Sequence, residues 1–371
     1  MKFLIIDTYY PSFLKSFRHK YPESLGMSYQ EQRQFLLDQK FGTSDFYSGN
    51  FKKLGHQAED IIVNDLYLQF RWAQERNFFV SESRFKARMR VLLRAYHLLG
   101  PPRWIQEIAL AQIQEYKPDI IYIHNLTIFS PDYFQKIKKQ CQFVVGQIAC
   151  PLPPKIYWEN YDLIVTSFPH FVQRFRQQGI KSEYLKIAFE PHILDLVSKQ
   201  PRIYNVSFIG SYSYHHKGGT QILEDVARKV KVDFWGLKQF FMSPFSPIGR
   251  RYHGSAWGLD MYTLLAQSRI VINRHIGAAQ NYANNMRLYE STGMGALLIT
   301  DMKDNLNHLF HIGKEIIAYS DVEDLVDKIR YYLEHEKERA EIAQAGQQRT
   351  LQEHTYENRM KELLTILAKY L

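Results

Sequence analysis

Two glycine-containing segments in the second half of the chain carry residue types that bind phosphate. The first spans residues 208–219, where Gly210 and Ser211 follow a predicted strand and Lys217 and Gly218 precede a predicted helix. Glycine lets the backbone approach an anion closely, and a helix N-terminus presents free N–H groups and partial positive charge. The pattern predicts a diphosphate site, although an ordinary strand–loop–helix connection with an exposed lysine has the same sequence.

The second segment spans residues 284–295 and contains an arginine, a glutamate and two glycines. Arg287 and Glu290 are three positions apart and share one face of a predicted helix. Glu290 could accept both hydroxyls of a nucleotide ribose, as acidic residues do in dinucleotide sites. Arg287 could then bind phosphate oxygens. A simple salt bridge between the two side chains is the alternative. Gly293 and Gly295 follow, directly before a predicted buried strand.

Two further candidates stand at the ends of predicted strands. Arg274 follows the strand 270–273 and could neutralise a departing diphosphate, unless it is a surface arginine. His124 ends the strand 119–124 and is a candidate general base or ligand for a sugar hydroxyl, but a structural histidine is equally consistent. Asp7, at the end of the first strand, is a weaker candidate, because a turn cap explains it as well.

Short apolar runs alternate with helical patterns along the chain, which is typical of parallel α/β sheets. We therefore predict two Rossmann-like domains with a cleft between them, one holding a donor and the other an acceptor. The N-terminal acceptor domain spans 1–195 with helical insertions, the C-terminal donor domain spans 200–354, and a last helix spans 355–371. Within the insertions, helical spacing relates Arg84, Arg88, Leu92 and Tyr96.

The composition and charge limit the possible functions and partners of the protein. The 371 residues carry a formal net charge of +9, which favours anionic partners such as phosphates, nucleic acid or acidic headgroups. The basic residues form no long block, so nucleic acid is a less favoured partner than a nucleotide. The two cysteines cannot form a disulfide framework. The apolar stretch after Lys2 is too short for a secretory signal, which predicts a cytoplasmic protein, with peripheral membrane contact compatible with its charge.

Several motifs are missing from the sequence. It has no Asp-x-Asp pair and no metal-ligand spacing, so we expect no metal and no cofactor besides a nucleotide substrate. Arginine, lysine and helix dipoles would then stabilise a leaving diphosphate. It also has no Gly-x-Ser-x-Gly elbow, no P-loop and no Gly-x-Gly-x-x-Gly after the first strand, which disfavours hydrolase, NTPase and NAD-dehydrogenase functions.

From about Tyr204 onward the sequence resembles the CgeB-type glycosyltransferases, which are similar to the wider GT-B superfamily. The likeness lies in an ordered series of segments: 208–210, 232–236, 260–273, 287–301, 313–319 and 354–359. It implies a GT-B fold, with two Rossmann-like domains facing across a cleft. The implied activity is transfer of a sugar from a nucleoside-diphosphate sugar to a glycan, lipid-linked, protein or small-molecule acceptor.

The resemblance also implies roles for individual residues. Glu290 would bind the donor ribose, Trp257 would lie near the nucleobase, and the last helix would cross back to the N-terminal domain. Lys217 and Gly218 would meet the diphosphate, and Gly293 and Gly295 would allow close approach to the nucleotide.

Two departures leave alternatives open. Many retaining GT-B enzymes have a second glutamate eight residues before the ribose-binding one, where this chain has Tyr282. They also commonly have an arginine at the position of Ser211. Arg274 or Arg287 could compensate, and the stereochemical outcome stays open. A GT-B-fold non-transferase is therefore the alternative, either a sugar-nucleotide epimerase or an inactive structural or coat-associated homologue. A nucleic-acid-binding function, suggested only by the charge, is the third hypothesis after the transferase and the non-transferase.

Overall fold

The computed structural model describes residues 1–78, 102–153, 156–197, 199–212, 217–238 and 243–371. The predicted helical positions Arg84, Arg88, Leu92 and Tyr96 lie outside these ranges. The chain divides into two compact units. The first comprises Met1–Leu185 together with Met360–Leu371, and the second comprises Lys186–Arg359. No helix in the described part of the chain has the length and apolar character needed to cross a bilayer.

The first unit is built on a six-stranded parallel sheet with the order β2-β1-β3-β4-β5-β6. Its strands are β1 (Lys2–Asp7), β2 (Gln57–Ile62), β3 (Ile120–Ile123), β4 (Phe143–Gln147), β5 (Leu163–Thr166) and β6 (Ser182–Tyr184). Its helices are α1 (Pro11–Lys20), α2 (Tyr29–Asp38), α3 (Phe46–Lys53), α4 (Leu66–Glu75), α5 (Arg103–Tyr116), α6 (Pro131–Lys138) and α7 (Pro169–Gln177).

Local sequence explains why these elements start and stop. The four apolar residues at 3–6 are buried in the middle of β1, as expected for a strand covered on both faces. Ser28 and Glu31 form a capping box that starts α2. Helix α5 ends at Tyr116, and its C-cap residue Lys117 adopts a left-handed conformation before Pro118.

The second unit has a five-stranded parallel sheet with the order β11-β10-β9-β7-β8. Its strands are β7 (Tyr204–Ile209), β8 (Asp233–Trp235), β9 (Ser268–Asn273), β10 (Leu297–Asp301) and β11 (Ile317–Tyr319). The helices that follow in chain order are α8 (Ile193–Leu196), α9 (Lys217–Lys229), α10 (Gly258–Ala266), α11 (Met286–Gly293), α12 (Leu306–Leu309), α13 (Val322–Glu334), α14 (Glu336–Glu353) and α15 (Tyr356–Leu367), the last of which continues into the first unit.

The two sheets share one topology, which decides where each can bind a ligand. In each, the first strand lies between the second and the third, so the chain leaves the first and third strands in opposite directions along the sheet. Such a switch point opens a crevice at the carboxyl ends of those two strands. In the first unit these ends are Asp7 and the residue after Ile123, and in the second they are Ile209 and Asn273.

Candidate functional site

The switch point of the second unit is organised by two asparagines. Asn273, buried at the end of β9, donates from Nδ2 to Asn285 Oδ1 at 3.2 Å, and Asn285 Nδ2 donates to Asn273 Oδ1 at 2.9 Å. Asn285 Oδ1 also accepts the backbone N–H of Leu288, which makes Asn285 the N-cap of α11. The pair fixes the start of α11 at the carboxyl end of β9.

Arg287 and Glu290 form an ion pair on α11. Arg287 Nη1 lies 2.7 Å from Glu290 Oε2, and the two side chains are 17% and 4% exposed. Arg287 Nε donates to the carbonyl of Ile209 at 3.0 Å, and Nη1 also lies 2.9 Å from the Met261 sulfur. The salt bridge considered from the sequence is thus present. Arg287 ties α11 to the end of β7 and uses its guanidinium largely within the protein.

Glu290 is covered in this structure. Its Oε1 accepts a long hydrogen bond of 3.4 Å from the hydroxyl of Tyr262 on α10. Burial raises the pKa of Glu290 above its ordinary value, and the charge of Arg287 and the bond from Tyr262 offset this only in part. The carboxylate would reach a ribose only after neighbouring side chains shift.

Arg274 contrasts with Arg287. It follows β9, its side chain is half-buried, and among the described residues its guanidinium has no hydrogen-bond acceptor and no carboxylate partner. It lies against Gly219, the third residue of α9. A Cβ built on Gly219 would stand 2.1 Å from Arg274 Nη1. A cation that lacks a partner in the described part of the chain is therefore packed on the first turn of a helix, which is an arrangement suited to an anion.

The other residues predicted to meet the diphosphate lie at the same edge. Gly210 directly follows β7, and its N–H donates to the carbonyl of Trp235 at 3.0 Å. Ser211 comes next, and the backbone of Lys217 and Gly218 forms the first turn of α9. Trp257 is the half-buried N-cap residue of α10, the helix that runs from the carboxyl end of β8 to the start of β9, so the structure brings it to the same edge.

Gly293 and Gly295 are not brought to this edge. They lie at the other end of α11, where the chain enters β10. A Cβ on Gly293 would stand 2.6 Å from the ring of Phe189, and Gly295, with φ +71°, faces Arg202 and Gln347. Packing within the protein and the left-handed turn after a helix account for both glycines. We leave them out of the proposed site.

Two glycines that are not among the predicted site residues shape the edge. A Cβ on Gly236, with φ +141°, would stand 1.6 Å from the carbonyl oxygen of Gly210, so only glycine allows the loops after β7 and β8 to pass this closely. Gly219 is the second, because it leaves room for Arg274. The only signal in the sequence was that Gly236 ends a predicted strand and that Gly219 stands in a glycine pair.

The switch point of the first unit holds His124. Its Nδ1 lies 3.2 Å from Asp7 Oδ2 and 3.1 Å from the hydroxyl of Thr43, which is itself 3.0 Å from Asp7 Oδ2. The adjacent strands β1 and β3 bring Asp7 and His124 together, and Asp7 Oδ1 accepts the N–H of Thr8 at 2.7 Å. Asp7 thus bonds a turn N–H, as the turn-cap alternative requires, and also contacts the imidazole.

The rest of the imidazole is enclosed by aromatic rings. Tyr47 and Tyr122 make edge contacts with His124 at centroid distances of 4.9 and 5.2 Å. Their hydroxyls both donate to Gln147 Oε1, at 2.9 and 2.7 Å. The Nε2 atom of His124 is buried and has no hydrogen-bond partner among the described residues.

A family model described as "Glycosyl transferase-like" matches residues 217–365. No curated protein matches the chain. The crystal structure of Anabaena HepE in complex with UDP-glucose is 14% identical, with 100% of both chains covered and a TM-score of 0.56. A glycosyltransferase from Rickettsia africae ESF-5 is 13% identical over 100% of this chain and 98% of the other, with a TM-score of 0.54. Sucrose-phosphate synthase from Thermosynechococcus elongatus is 9% identical over 100% and 99%, with a TM-score of 0.57.

The chain has the GT-B fold. The predicted α/β architecture of two Rossmann-like domains is therefore confirmed. The glycosyl transferase-like stretch contains α9, Arg274, Arg287 and Glu290, so the family match covers most of the candidate site of the second unit.

Proposed function

We propose that this GT-B protein transfers a sugar from a nucleoside-diphosphate sugar to an acceptor, and that the donor binds at the switch point of the second unit. The observation that carries the proposal is the guanidinium of Arg274, which has no acceptor among the described residues and packs against the first turn of α9. The family match over residues 217–365 supports it, as does the fold shared with HepE, which was crystallised with UDP-glucose and with UDP. We also propose, from the ordered motif series, that the protein is of the CgeB type.

In this proposal Arg274 and the N–H groups of α9 neutralise the diphosphate as it leaves. Charge-assisted bonds of this kind are each worth about 1.5–3 kcal/mol. Glu290 accepts the ribose hydroxyls after Tyr262 releases it, and Arg287 holds the Glu290 carboxylate in place from the end of β7. Arg287 is thus proposed as a positioning residue rather than as a phosphate ligand.

We further propose that the reaction uses neither a bound divalent metal nor a cofactor besides the donor. The support is the cationic set at this edge, where Arg274 and the start of α9 could supply the charge that a metal supplies in other transferases. Activity in excess chelator tests this proposal.

The acceptor is proposed to bind at the switch point of the first unit, where His124 would take the proton of its hydroxyl. The support is the position of His124 at the carboxyl end of β3. The Nε2 of its imidazole has no partner among the described residues but is buried, so an acceptor would reach it only after neighbouring side chains shift. General acid–base catalysis by a positioned histidine typically contributes about 100-fold or more to the rate.

A ligand screen tests the donor site. Nucleoside diphosphates and their sugars are compared by thermal shift, since a ligand at 100 times its Kd stabilises a protein by about 2.7 kcal/mol. The sugar nucleotide that binds is then incubated with the protein, and release of nucleoside diphosphate is followed. Arg274→Ala should markedly reduce the shift. Arg228→Ala, at the exposed far end of α9, is the matched control and should retain it.

Two results would contradict the proposal. A nucleotide that binds Arg274→Ala as well as the wild type would remove the donor site from this edge. A sugar nucleotide that binds but is neither hydrolysed nor transferred to any acceptor would favour a GT-B-fold protein that is not a transferase.

A further inference from the structure

Arg274 stands between two residues, Asn273 and His275, whose side chains are buried. Each of these side chains is hydrogen-bonded to a neighbouring element of the second unit, Asn273 to the start of α11 and His275 to the end of β10. We infer that His275 and Asp301 are positioning residues that fix where the Arg274 side chain leaves the sheet, and so direct its guanidinium to the diphosphate of the donor. This inference rests on the proposed donor site.

One oxygen of Asp301 binds His275 twice. The backbone N–H of His275 donates to Asp301 Oδ1 at 3.1 Å, and its Nδ1 lies 2.7 Å from the same oxygen. An ionised carboxylate only accepts hydrogen bonds, so Nδ1 carries a proton and donates it. The other ring nitrogen, Nε2, is buried and has no partner among the described residues. Within that part of the chain, the bond to Asp301 is therefore what orients the imidazole.

Burial raises the pKa of Asp301, but the hydrogen bonds from His275 and the charge of Lys303 outweigh it and lower that pKa below its ordinary value. The carboxylate is therefore ionised at neutral pH, and both of its bonds to His275 are charge-assisted. Such bonds are stronger than bonds between neutral groups. The residue directly after Arg274 is thus held by its main chain and by its ring.

The carboxylate of Asp301 is itself anchored to the sheet. Asp301 is the last residue of β10, and the register of β10 with β9 pairs Thr300 with Asn273. Its second oxygen, Oδ2, lies 3.4 Å from Lys303 Nζ, which also donates to a backbone carbonyl at 2.9 Å. Asp301 therefore has a partner on each oxygen, and it holds His275 against a strand rather than against a loop.

The peptide unit between Arg274 and His275 is bonded at both ends. Asn285 Nδ2 reaches the carbonyl of Arg274 at 3.4 Å, and the N–H of the same unit belongs to His275 and donates to Asp301. The Arg274 guanidinium has no acceptor of its own among the described residues, so its position depends on this main chain and on its packing against Gly219. A cation that is fixed before the ligand arrives loses less conformational freedom on binding, which favours affinity.

Isothermal titration calorimetry with the nucleoside diphosphate selected by the screen tests the inference on the full-length protein. His275→Leu removes the ring donor but keeps a buried side chain, and it should raise the Kd about 10-fold or more, because one charge-assisted bond from Arg274 is worth about that factor. His275→Asn keeps a side-chain N–H close to the position of Nδ1 and should restore most of the affinity. In the Arg274→Ala background His275→Leu should raise the Kd no further, because a positioning residue acts only through Arg274.

His311→Leu is the matched control for these variants. His311 binds Glu315 in a similar manner, with its backbone N–H 2.7 Å from Oε2 and its Nδ1 3.0 Å from Oε1, but it precedes β11 at the opposite edge of the sheet. This variant should leave the Kd unchanged. The melting temperature of each variant without ligand shows whether the protein is folded.

A second measurement needs no ligand. ¹H–¹⁵N spectra of arginine-labelled protein contain the Nε–H signal of Arg274, which is identified by its loss in Arg274→Ala. His275→Leu should shift this signal, because the side chain is no longer held in the same place, whereas His311→Leu should leave it where it is.

Four outcomes would overturn the inference: an unchanged Kd in His275→Leu, an equal loss of affinity in His275→Asn, a further loss in the Arg274→Ala background, or an unmoved Arg274 signal in His275→Leu. A wild-type protein that binds no nucleoside diphosphate would refute the proposed donor site instead. In that case the Arg274 signal would still show whether His275 fixes the position of that side chain.

Discussion

Replacing Gly219 by alanine should weaken nucleotide binding without harming the fold. The new Cβ would stand 2.1 Å from Arg274 Nη1 and 3.3 Å from Cζ, whereas real Cβ atoms essentially never come within 3.0 Å of another heavy atom. The guanidinium must therefore move. It is the far end of a flexible side chain, so its displacement costs little stability. Alanine also favours a helix over glycine by up to about 1 kcal/mol.

The expected loss in affinity follows from the bonds that Arg274 is proposed to make. One charge-assisted hydrogen bond to a phosphate oxygen is worth about 1.5–3 kcal/mol. Since about 1.4 kcal/mol corresponds to a tenfold change, Gly219→Ala should raise the Kd for the nucleoside diphosphate about 10- to 150-fold. The melting temperature of the unliganded protein should stay the same or rise.

Isothermal titration calorimetry with the nucleoside diphosphate selected by the screen measures this effect. Gly49→Ala is the matched control, because Gly49 also lies in a helix and a Cβ there meets nothing within 4 Å. Arg274→Ala should lose as much affinity as Gly219→Ala. The double variant should lose no more than either single variant, because both remove the same contact.

Two results would refute this reasoning. Unchanged affinity in Gly219→Ala would show that the position of Arg274 does not matter for the nucleotide. Additive losses in the double variant would show that Gly219 acts on the site by another route, such as the backbone of α9.

Three further outcomes are expected. Glu290→Gln should raise the nucleotide Kd at least tenfold and also lower the melting temperature, because buried Arg287 loses part of its partner; unchanged affinity in the folded variant would exclude Glu290 as the ribose ligand. Transfer activity should persist in excess EDTA, and loss that manganese or magnesium restores would show a metal requirement. The free energy of unfolding measured in urea should fall by up to about 3 kcal/mol from pH 7 to pH 4. His354→Gln should lack this fall. Burial lowers the pKa of His354 to about 4, so below pH 6.5 only the unfolded chain gains that proton; an equal pH dependence in the variant would refute this assignment.

The sheets were predictable from sequence because their strands are short apolar runs with polar ends. The strands predicted at 119–124 and 270–273 correspond to β3 and β9, with bounds that differ by one or two residues. Both faces of such strands are covered, so almost every position must be apolar, and the signal is local.

Helix α14 was not predicted, because its sequence has no apolar stripe. The eighteen residues from Glu336 to Glu353 bury only one large aliphatic side chain, Ile342. The other buried positions are small or polar. Gly346, for example, packs on the carbonyl of Glu315, where a Cβ would stand 2.2 Å away. Close backbone packing of this kind leaves no hydrophobic periodicity to find.

The sequence could not assign the glycines of the site, because a glycine's role depends on what faces it. Gly293 and Gly295 stand in the motif that resembles other glycosyltransferases, yet a phenylalanine ring and an arginine explain them. Gly219 makes room for a side chain 55 positions later, and Gly236 for the backbone of Gly210. These partners meet only once the strand order is known.

The same reason explains why Asp7 ranked low beside His124. At the end of its own strand, an aspartate suits a turn and a histidine suits many roles. In the order β2-β1-β3, however, the first and third strands are neighbours, so their carboxyl ends place the two side chains 3.2 Å apart. The second sheet repeats this order, and there Arg287 reaches the end of β7 from the helix after β9. At a switch point, groups that follow the first and third strands thus come into contact although these strands are not consecutive in sequence, and strand order is the information needed to predict the contact.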